Sequence, residues 1–143
     1  MDFQLSEHQE MLKATVREFV QKECPKQLVR KWDEEHLFPM EVFNKLKKLG
    51  VMGVITPVQY GGMGGSIVDY AVVCEEIARS GCWGLASYFN SVIMYGTDMI
   101  LHCGNEEQKQ YYLPKLAKGE LLFAYGITEP DSGSDAGGQD HGN

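Results

Sequence analysis

The sequence predicts an all-α protein, an up-down bundle of about five or six helices that ends in a short β-strand. Helix-start signals precede apolar residues spaced three and four positions apart, and glycines stand where these patterns stop. Only one apolar run, at 121–125, is typical of a strand, and it lies near the end of the 143 residues. We therefore expect a helical domain at 1–119 and the truncated start of a β domain at 120–143.

Capping residues mark the first two helices. Ser6 and Gln9 have the spacing at which a hydroxyl and an amide satisfy orphan backbone donors, so the first helix begins at Ser6. The Cys-Pro step at 24–25 kinks or ends it, and a solvated continuation follows. Pro39 fits the first turn of a second helix, which Gly50 closes.

The remaining helices show the same signals. Ser66 and Asp69 repeat the capping-box spacing and begin a third helix. A fourth, with one broad apolar face, covers about 84–103. Asn105 begins a fifth, which Pro114 is expected to bend or break.

Composition and charge limit the partners and the cellular compartment that the sequence predicts. The net charge is −7, and no block of Lys and Arg is present, so we expect no nucleic-acid partner. No run reaches the roughly 18 apolar residues of a membrane span, and the N-terminus lacks the features of a signal peptide. These features predict a cytoplasmic protein without a membrane span. The cysteines form no CxxC pair and are interpreted as buried free thiols: Cys24, Cys74, Cys82 and Cys103.

Two loops are candidates for ligand contact. Four glycines crowd the loop at 60–65, which is either a close approach to a ligand or a tight connector that needs positive φ. It matches neither a Walker loop nor a dinucleotide fingerprint, so we favour the connector. The loop at 129–138 concentrates hydroxyls and carboxylates around Gly133. It could hold a ring carbonyl or a diphosphate, or it could be a polar hairpin turn, and the residue chemistry alone leaves both open.

Three segments stand in a particular order. Residues 125–136 read YGITEPDSGSDA, in which a Thr-Glu-Pro tripeptide precedes Gly-Ser-Asp. Residues 57–64 read PVQYGGMG and are followed at 75–79 by EEIAR. Residues 104–119 read GNEEQKQYYLPKLAKG. Together these segments resemble the acyl-CoA dehydrogenase family over residues ~3 to 138.

The resemblance implies an FAD-dependent oxidoreductase of fatty acid metabolism that removes hydrogens from the α and β carbons of an acyl-CoA thioester, with hydride transfer to FAD. It implies that the backbone at Tyr125 and Ile127 and the hydroxyl of Thr128 contact the flavin ring. It also implies that Gly133 and Ser134 approach the flavin or the CoA diphosphate, with Ser134 as the substrate contact. The implied partners are an acyl-CoA thioester, an electron acceptor and further copies of the chain in a homo-oligomer.

The chain departs from the family pattern in three ways. Asp131-Ser132 stands where many members have Gly-Ala, and the tail at 140–143 does not look like the usual continuation. The chain also stops before the rest of the β domain and the C-terminal helical domain, which supplies the catalytic carboxylate in most members. We therefore assign no catalytic acid or base. Glu75 and Glu76 are expected to face solvent or to be paired, and the scattered histidines predict no metal site.

Three functions remain open at this point. The chain could be the N-terminal portion of an FAD-dependent acyl-CoA dehydrogenase, inactive alone, with FAD bound by the parent enzyme and weakly or not at all by this chain. It could be a natural short isoform that acts as a non-catalytic interaction module. It could also be a fragment of a divergent relative, such as a crotonobetainyl-CoA reductase-type enzyme or a nitroalkane- or sulfur-compound-oxidising enzyme.

Overall fold

The computed structural model of the protein describes residues 4–130 and 133–135. Six helices follow one another in this part of the chain, which confirms the predicted all-α bundle. Their bounds are Glu7–Glu23 (α1), Lys26–Glu34 (α2), Met40–Lys48 (α3), Ile67–Ala78 (α4), 83–103 (α5) and Glu106–Ala117 (α6). Helix α5 passes through three segments, which are Trp83–Asn90, a π-helical stretch Ser91–Asp98, and Met99–Cys103. Two 3₁₀ turns, Val51–Gly53 and Val58–Tyr60, lie between α3 and α4.

Three helices begin at the capping boxes that the sequence predicts. The Ser6 N–H donates to Gln9 Oε1 at 3.0 Å, and the Gln9 N–H donates to Ser6 Oγ at 3.3 Å. The other two boxes pair Ser66 with Asp69 and Asn105 with Gln108. These reciprocal bonds satisfy first-turn donors, so short-range sequence decides where α1, α4 and α6 start.

The core forms where apolar helix faces meet. Helix α1 packs mainly on α4, and α4, α5 and α6 pack on one another in chain order. The fully buried side chains at these contacts include Val16, Phe43, Leu46, Val73, Ile77, Leu85, Phe89 and Ile93. Helix α2 contributes no fully buried side chain and lies at the surface. Burial of these apolar faces is the main stabilising contribution to the bundle.

A charged contact joins α1 to α4 at the edge of the core. Glu76 is 1% exposed and accepts two hydrogen bonds from Arg17, Nε–H to Oε2 at 2.9 Å and Nη2–H to Oε1 at 2.7 Å. The hydrogen bond from Arg17 holds the pKa of Glu76 below its ordinary value, against the effect of burial. Glu75 is exposed and lies 3.2 Å from Arg79. Both glutamates are therefore paired, and only one is buried.

A break at Pro114 and a strand at 121–125 are both absent from the described residues. Pro114 neither breaks nor ends α6, which continues to Ala117, because a proline removes only one donor and here lies in the last turn. The run at 121–125 forms no strand in the described residues, where Glu129 alone takes part in an isolated bridge. A strand needs a neighbour for its backbone groups, and no neighbouring strand is present in this part of the chain.

The cysteine prediction holds in part. All four thiols are free, with Cys24 and Cys82 buried, Cys74 half-buried and Cys103 exposed. Burial raises the pKa of Cys24 to about 11, so this thiol stays protonated at neutral pH. None of the helices in residues 4–130 has both the length and the apolar character needed to cross a membrane.

Candidate functional site

The signature residues lie on a segment that leaves α6 and crosses α5. Gly119, at φ 65°, turns the chain, and the Glu120 N–H donates to the Lys115 carbonyl at 2.9 Å. Leu121 then packs against the core as a half-buried side chain. We call residues 121–128 the crossing segment.

Alternate residues of the crossing segment contact the bundle. The Phe123 side chain lies on Gly96, where an added Cβ would come 3.0 Å from Phe123 Cβ. The ring of Tyr125 stacks against Tyr95 with the centroids 4.0 Å apart and an angle of 36° between planes. Interaction with the Tyr95 hydroxyl raises the pKa of Tyr125. With Leu121, these contacts have the two-residue period of an extended chain laid on a surface.

The predicted flavin-contacting residues lie at the exposed end of this segment. Tyr125 and Ile127 are 51% and 53% exposed, and Thr128 is exposed as well. Gly133 lies beside Thr128, whose Cγ2 would be 3.7 Å from an added Cβ. Ser134 is exposed in the turn that follows. The structure thus brings Thr128 and Gly133 together, while Asp131, Ser132 and the tail at 140–143 lie outside the described residues.

This surface is chemically suited to one face of a flat polar ring. Apart from its two chain neighbours, no heavy atom of the described residues lies within 4 Å of the position that a Cβ on Gly126 would occupy, so a planar group can approach the backbone there. The adjacent Thr128 hydroxyl is exposed and can donate to a ring carbonyl or nitrogen. These exposed groups offer contacts to one face of such a ring.

Sequence reasoning did not identify the supporting residues on α5. Tyr95 is half-buried and Gly96 is buried, and both lie in the π-helical stretch beneath the crossing segment. Near them, the Tyr70 hydroxyl donates to Asn90 Oδ1, and burial raises the Tyr70 pKa. The available signal was Gly96 itself, since glycine inside a helix costs stability and often marks a close approach of another element.

The glycine loop is a structural connector, as the sequence analysis favours. Its amides are used internally, because Met63 N–H donates to Gly53 O, Gly64 N–H to Thr56 O and Gly65 N–H to Val54 O, each at 2.8 Å. An added Cβ at Gly62 would lie 2.1 Å from the Thr56 carbonyl oxygen. The N–H groups needed to cradle a phosphate are therefore already occupied.

The described residues contain no group of three or more histidines, cysteines or carboxylates able to hold a metal ion. Two carboxyl groups in this part of the chain are buried, those of Asp69 and Glu76. The pKa of Glu76 is lowered, and the hydrogen bonds from Arg17 account for this shift without a catalytic role.

The fold and this site can be compared with known proteins. The profile of the family described as "Acyl-CoA dehydrogenase, N-terminal domain" matches residues 6–120, which include all six helices. The chain belongs to the acyl-CoA dehydrogenase family. The resemblance in the three sequence segments is thereby confirmed.

Curated relatives extend this match over nearly the whole chain. "Acyl-CoA dehydrogenase, short-chain specific" of Clostridium acetobutylicum is 40% identical over 139 residues, covering 97% of this chain and 36% of that protein. "Acryloyl-CoA reductase (NADH)" of Anaerotignum propionicum is 39% identical over 137 residues, covering 96% of this chain and 34% of that protein. The chain therefore spans about a third of the length of these acyl-CoA dehydrogenase family members, at their N-terminal part.

Solved structures agree with the bundle. The glutaryl-coenzyme A dehydrogenase glutaryl-CoA complex superposes with a TM-score of 0.86 at 39% identity, covering 97% of this chain and 35% of that one. The acyl-CoA dehydrogenase complexed with FAD from Bacillus anthracis gives a TM-score of 0.82 at 37% identity, covering 94% of this chain and 23% of that one. The bundle described above is thus the N-terminal fold of the family.

Proposed function

We propose that this chain forms the N-terminal helical part of an FAD-dependent acyl-CoA dehydrogenase, an oxidoreductase that introduces an α,β double bond into an acyl-CoA thioester. The observation that carries the proposal is the match of residues 6–120 to the family's N-terminal domain, with the signature segment following directly at 125–134. Activity belongs to an assembled enzyme, and the isolated chain is expected to show no turnover.

FAD, when bound, supplies the hydride acceptor for this reaction. In our proposal the backbone at Tyr125 and Ile127 and the hydroxyl of Thr128 hold one edge of the ring. Gly133 allows close approach, and Ser134 contacts the flavin or the acyl-CoA. The exposed Thr128 beside Gly133 and the open space at Gly126 support this assignment. In this proposal the residues of the chain bind and orient the flavin and the acyl-CoA, and none of them is assigned a proton transfer.

Reduction of an acyl-CoA is a second candidate activity. The relative named acryloyl-CoA reductase matches this chain at 39% identity, against 40% for the short-chain-specific dehydrogenase. The two relatives act in opposite redox directions, so identity in the N-terminal third does not separate them. A homo-oligomer, an electron-carrier partner and a cytoplasmic location remain predictions that accompany either activity.

A chimera tests the proposal directly. The chain would replace the corresponding N-terminal third of the Clostridium acetobutylicum enzyme, with the unaltered enzyme as the positive control. We expect a helical protein that retains yellow FAD and oxidises a short-chain acyl-CoA with an artificial electron acceptor. The chain alone should be colourless and inactive, with FAD binding no tighter than about micromolar, because most contacts of the cradle are missing.

Thr128→Ala in the chimera removes the proposed hydroxyl donor to the ring. It should reduce flavin content or shift the flavin absorbance, whereas Thr15→Ala, on the exposed face of α1, should change neither. A folded chimera that holds no flavin, or a Thr128→Ala variant identical to its parent, would overturn the assignment.

A further inference from the structure

The contacts of the crossing segment divide its side chains into two faces. Leu121 packs on the core, Phe123 packs on Gly96, and Tyr125 packs on Tyr95. These three side chains therefore face the bundle. The alternate face begins with Leu122, which is 56% exposed, and continues with the exposed alanine at 124, the glycine at 126 and Thr128. Beyond Leu122 the outward face therefore carries only small side chains and one hydroxyl, because Phe123 and Tyr125 are held against α5.

We infer that Tyr95 and Gly96 of α5 are positioning residues that set the register of the crossing segment, and so direct its small-residue face toward a flavin ring. This inference rests on the proposed function. It assigns to the π-helical stretch a role that the signature residues do not carry themselves. A slip of one residue along the segment would turn Phe123 and Tyr125 outward and block that face.

Gly96 is suited to this role by its lack of a side chain. The nearest atoms to an added Cβ are Phe123 Cβ at 3.0 Å and Cγ at 3.1 Å. These atoms lie close to the Phe123 backbone, so they cannot move aside as the tip of a flexible side chain can. Any larger residue at position 96 therefore requires Phe123 to move by at least a few tenths of an ångström.

Tyr95 supports the crossing segment two positions after Phe123, at Tyr125. Its ring covers that of Tyr125 at 4.0 Å between centroids, and the hydroxyl groups interact. Tyr95 is half-buried on a helix, whereas Tyr125 is half-exposed on the segment. The helix-borne ring of Tyr95 thus supports the ring of Tyr125, and aromatic pairing of this kind is favourable beyond simple burial.

The first test measures order in the segment without flavin. Hydrogen–deuterium exchange of the amides at 122–128 would be compared in the full chain and its Gly96→Ala variant. We expect exchange to rise by about tenfold in Gly96→Ala, with the core amides of α1 and α4 unchanged. Gly84→Ala is the matched control in the same helix, since an added Cβ there meets only Phe38 Cδ2 at an ordinary 3.6 Å.

Further variants distinguish a specific contact of Phe123 and Tyr125 with α5 from a general destabilisation of α5. In a Phe123→Gly background, which also lacks the Phe123 Cβ, the close contacts at position 96 disappear, so adding Gly96→Ala should cause no further increase in exchange. Tyr95→Phe keeps the ring and should loosen the segment less than Tyr95→Ala. Exchange in Gly96→Ala equal to that of the unaltered chain, or an equal increase in both backgrounds, would overturn the inference.

Flavin titration distinguishes this inference from the proposed function. In the chimera proposed above, excess FAD should slow amide exchange at 125–128, and it should do so at least severalfold less when the chimera carries Gly96→Ala. If FAD changes nothing in the chimera while Gly96→Ala still loosens the segment, the positioning role of α5 is established and the flavin assignment fails. If FAD protects both proteins equally, the flavin assignment stands and the positioning role of α5 is wrong.

Discussion

At the scale of single residues, burial separates two adjacent glutamates. Glu75 is exposed and pairs with Arg79 at 3.2 Å on the same helix, an arrangement that contributes little in water. Glu76 is 1% exposed and receives both hydrogen bonds of the Arg17 guanidinium from α1. This bidentate contact fixes how α1 lies on α4, and a buried carboxylate without it would be strongly unfavourable.

Replacing the buried carboxylate should destabilise the bundle. We expect Glu76→Gln to lower the free energy of unfolding by about 1–3 kcal/mol, because a charge-assisted pair becomes a weaker neutral one. The control Glu75→Gln should change it by less than about 0.5 kcal/mol. Urea denaturation followed by circular dichroism measures both, and equal effects of the two substitutions would show that the buried pair contributes nothing special.

The same carboxylate makes stability depend on pH. The Arg17 hydrogen bonds lower the pKa of Glu76 in the folded protein below the ordinary value of 4.5. The unfolded chain therefore binds the proton more readily, and the stabilisation is present above pH 4.5 and is lost as the pH falls through the folded pKa. The stability difference between the unaltered chain and Glu76→Gln should shrink between about pH 5 and about pH 3. A difference that stays constant over this range would contradict the assignment.

At the scale of elements, the connector at 60–65 shows why its glycines are not equivalent. Gly61, at φ 82°, has open space where a Cβ would lie, so only its backbone angle favours glycine. Gly62 packs against the Thr56 backbone, where a Cβ would lie 2.1 Å from the carbonyl oxygen. The connector is held closed by its own amides, which bond to carbonyls of the segment before it.

Alanine substitutions should therefore have unequal effects in this loop. Gly61→Ala should cost about 1–2 kcal/mol for the left-handed backbone angle. Gly62→Ala should cost about 3 kcal/mol or more, because the chain must move to avoid the clash. Chemical denaturation of the two variants provides the comparison. An effect of Gly62→Ala no larger than that of Gly61→Ala would mean that the close approach at Thr56 is relaxed in solution.

At the scale of the whole molecule, apolar surface concentrates near the crossing segment. Leu122 is 56% exposed, and Tyr125 and Ile127 are 51% and 53% exposed. Exposed apolar side chains grouped on one segment mark surfaces that other protein elements cover. We propose that a second copy of the chain covers this surface.

We expect the chain to self-associate through this segment. Sedimentation velocity across micromolar concentrations should show oligomers, and deletion of residues 120–143 should give a more monomeric and still helical protein. Combined Leu122→Lys and Ile127→Lys substitutions should have the same effect in the full chain. Met11→Lys, at a side chain 65% exposed on α1, is the control that should leave association unchanged. Monomers at every concentration would refute this prediction.

Much of the fold could be predicted from the sequence because its signals are local. The capping boxes at Ser6, Ser66 and Asn105 act within four residues, and the structure places α1, α4 and α6 directly after them. The glycine connector and the family signature could also be recognised in the sequence, since each is a continuous stretch of residues. The strand predicted at 121–125 is absent from the described residues, because a strand depends on a partner that the local sequence does not reveal.

The sequence by itself determined the helical class, the starts of α1, α4 and α6, and the family, whereas the five residues proposed to contact flavin or substrate remain a prediction. Only the tertiary structure decided that Glu76 is buried against Arg17 and that Gly62 lies on Thr56. It alone brought Phe123 and Tyr125 onto Gly96 and Tyr95 of α5. The physical reason is distance along the chain, because hydrogen bonds of caps form between neighbours, whereas packing joins residues whose encounter depends on how every helix between them is placed.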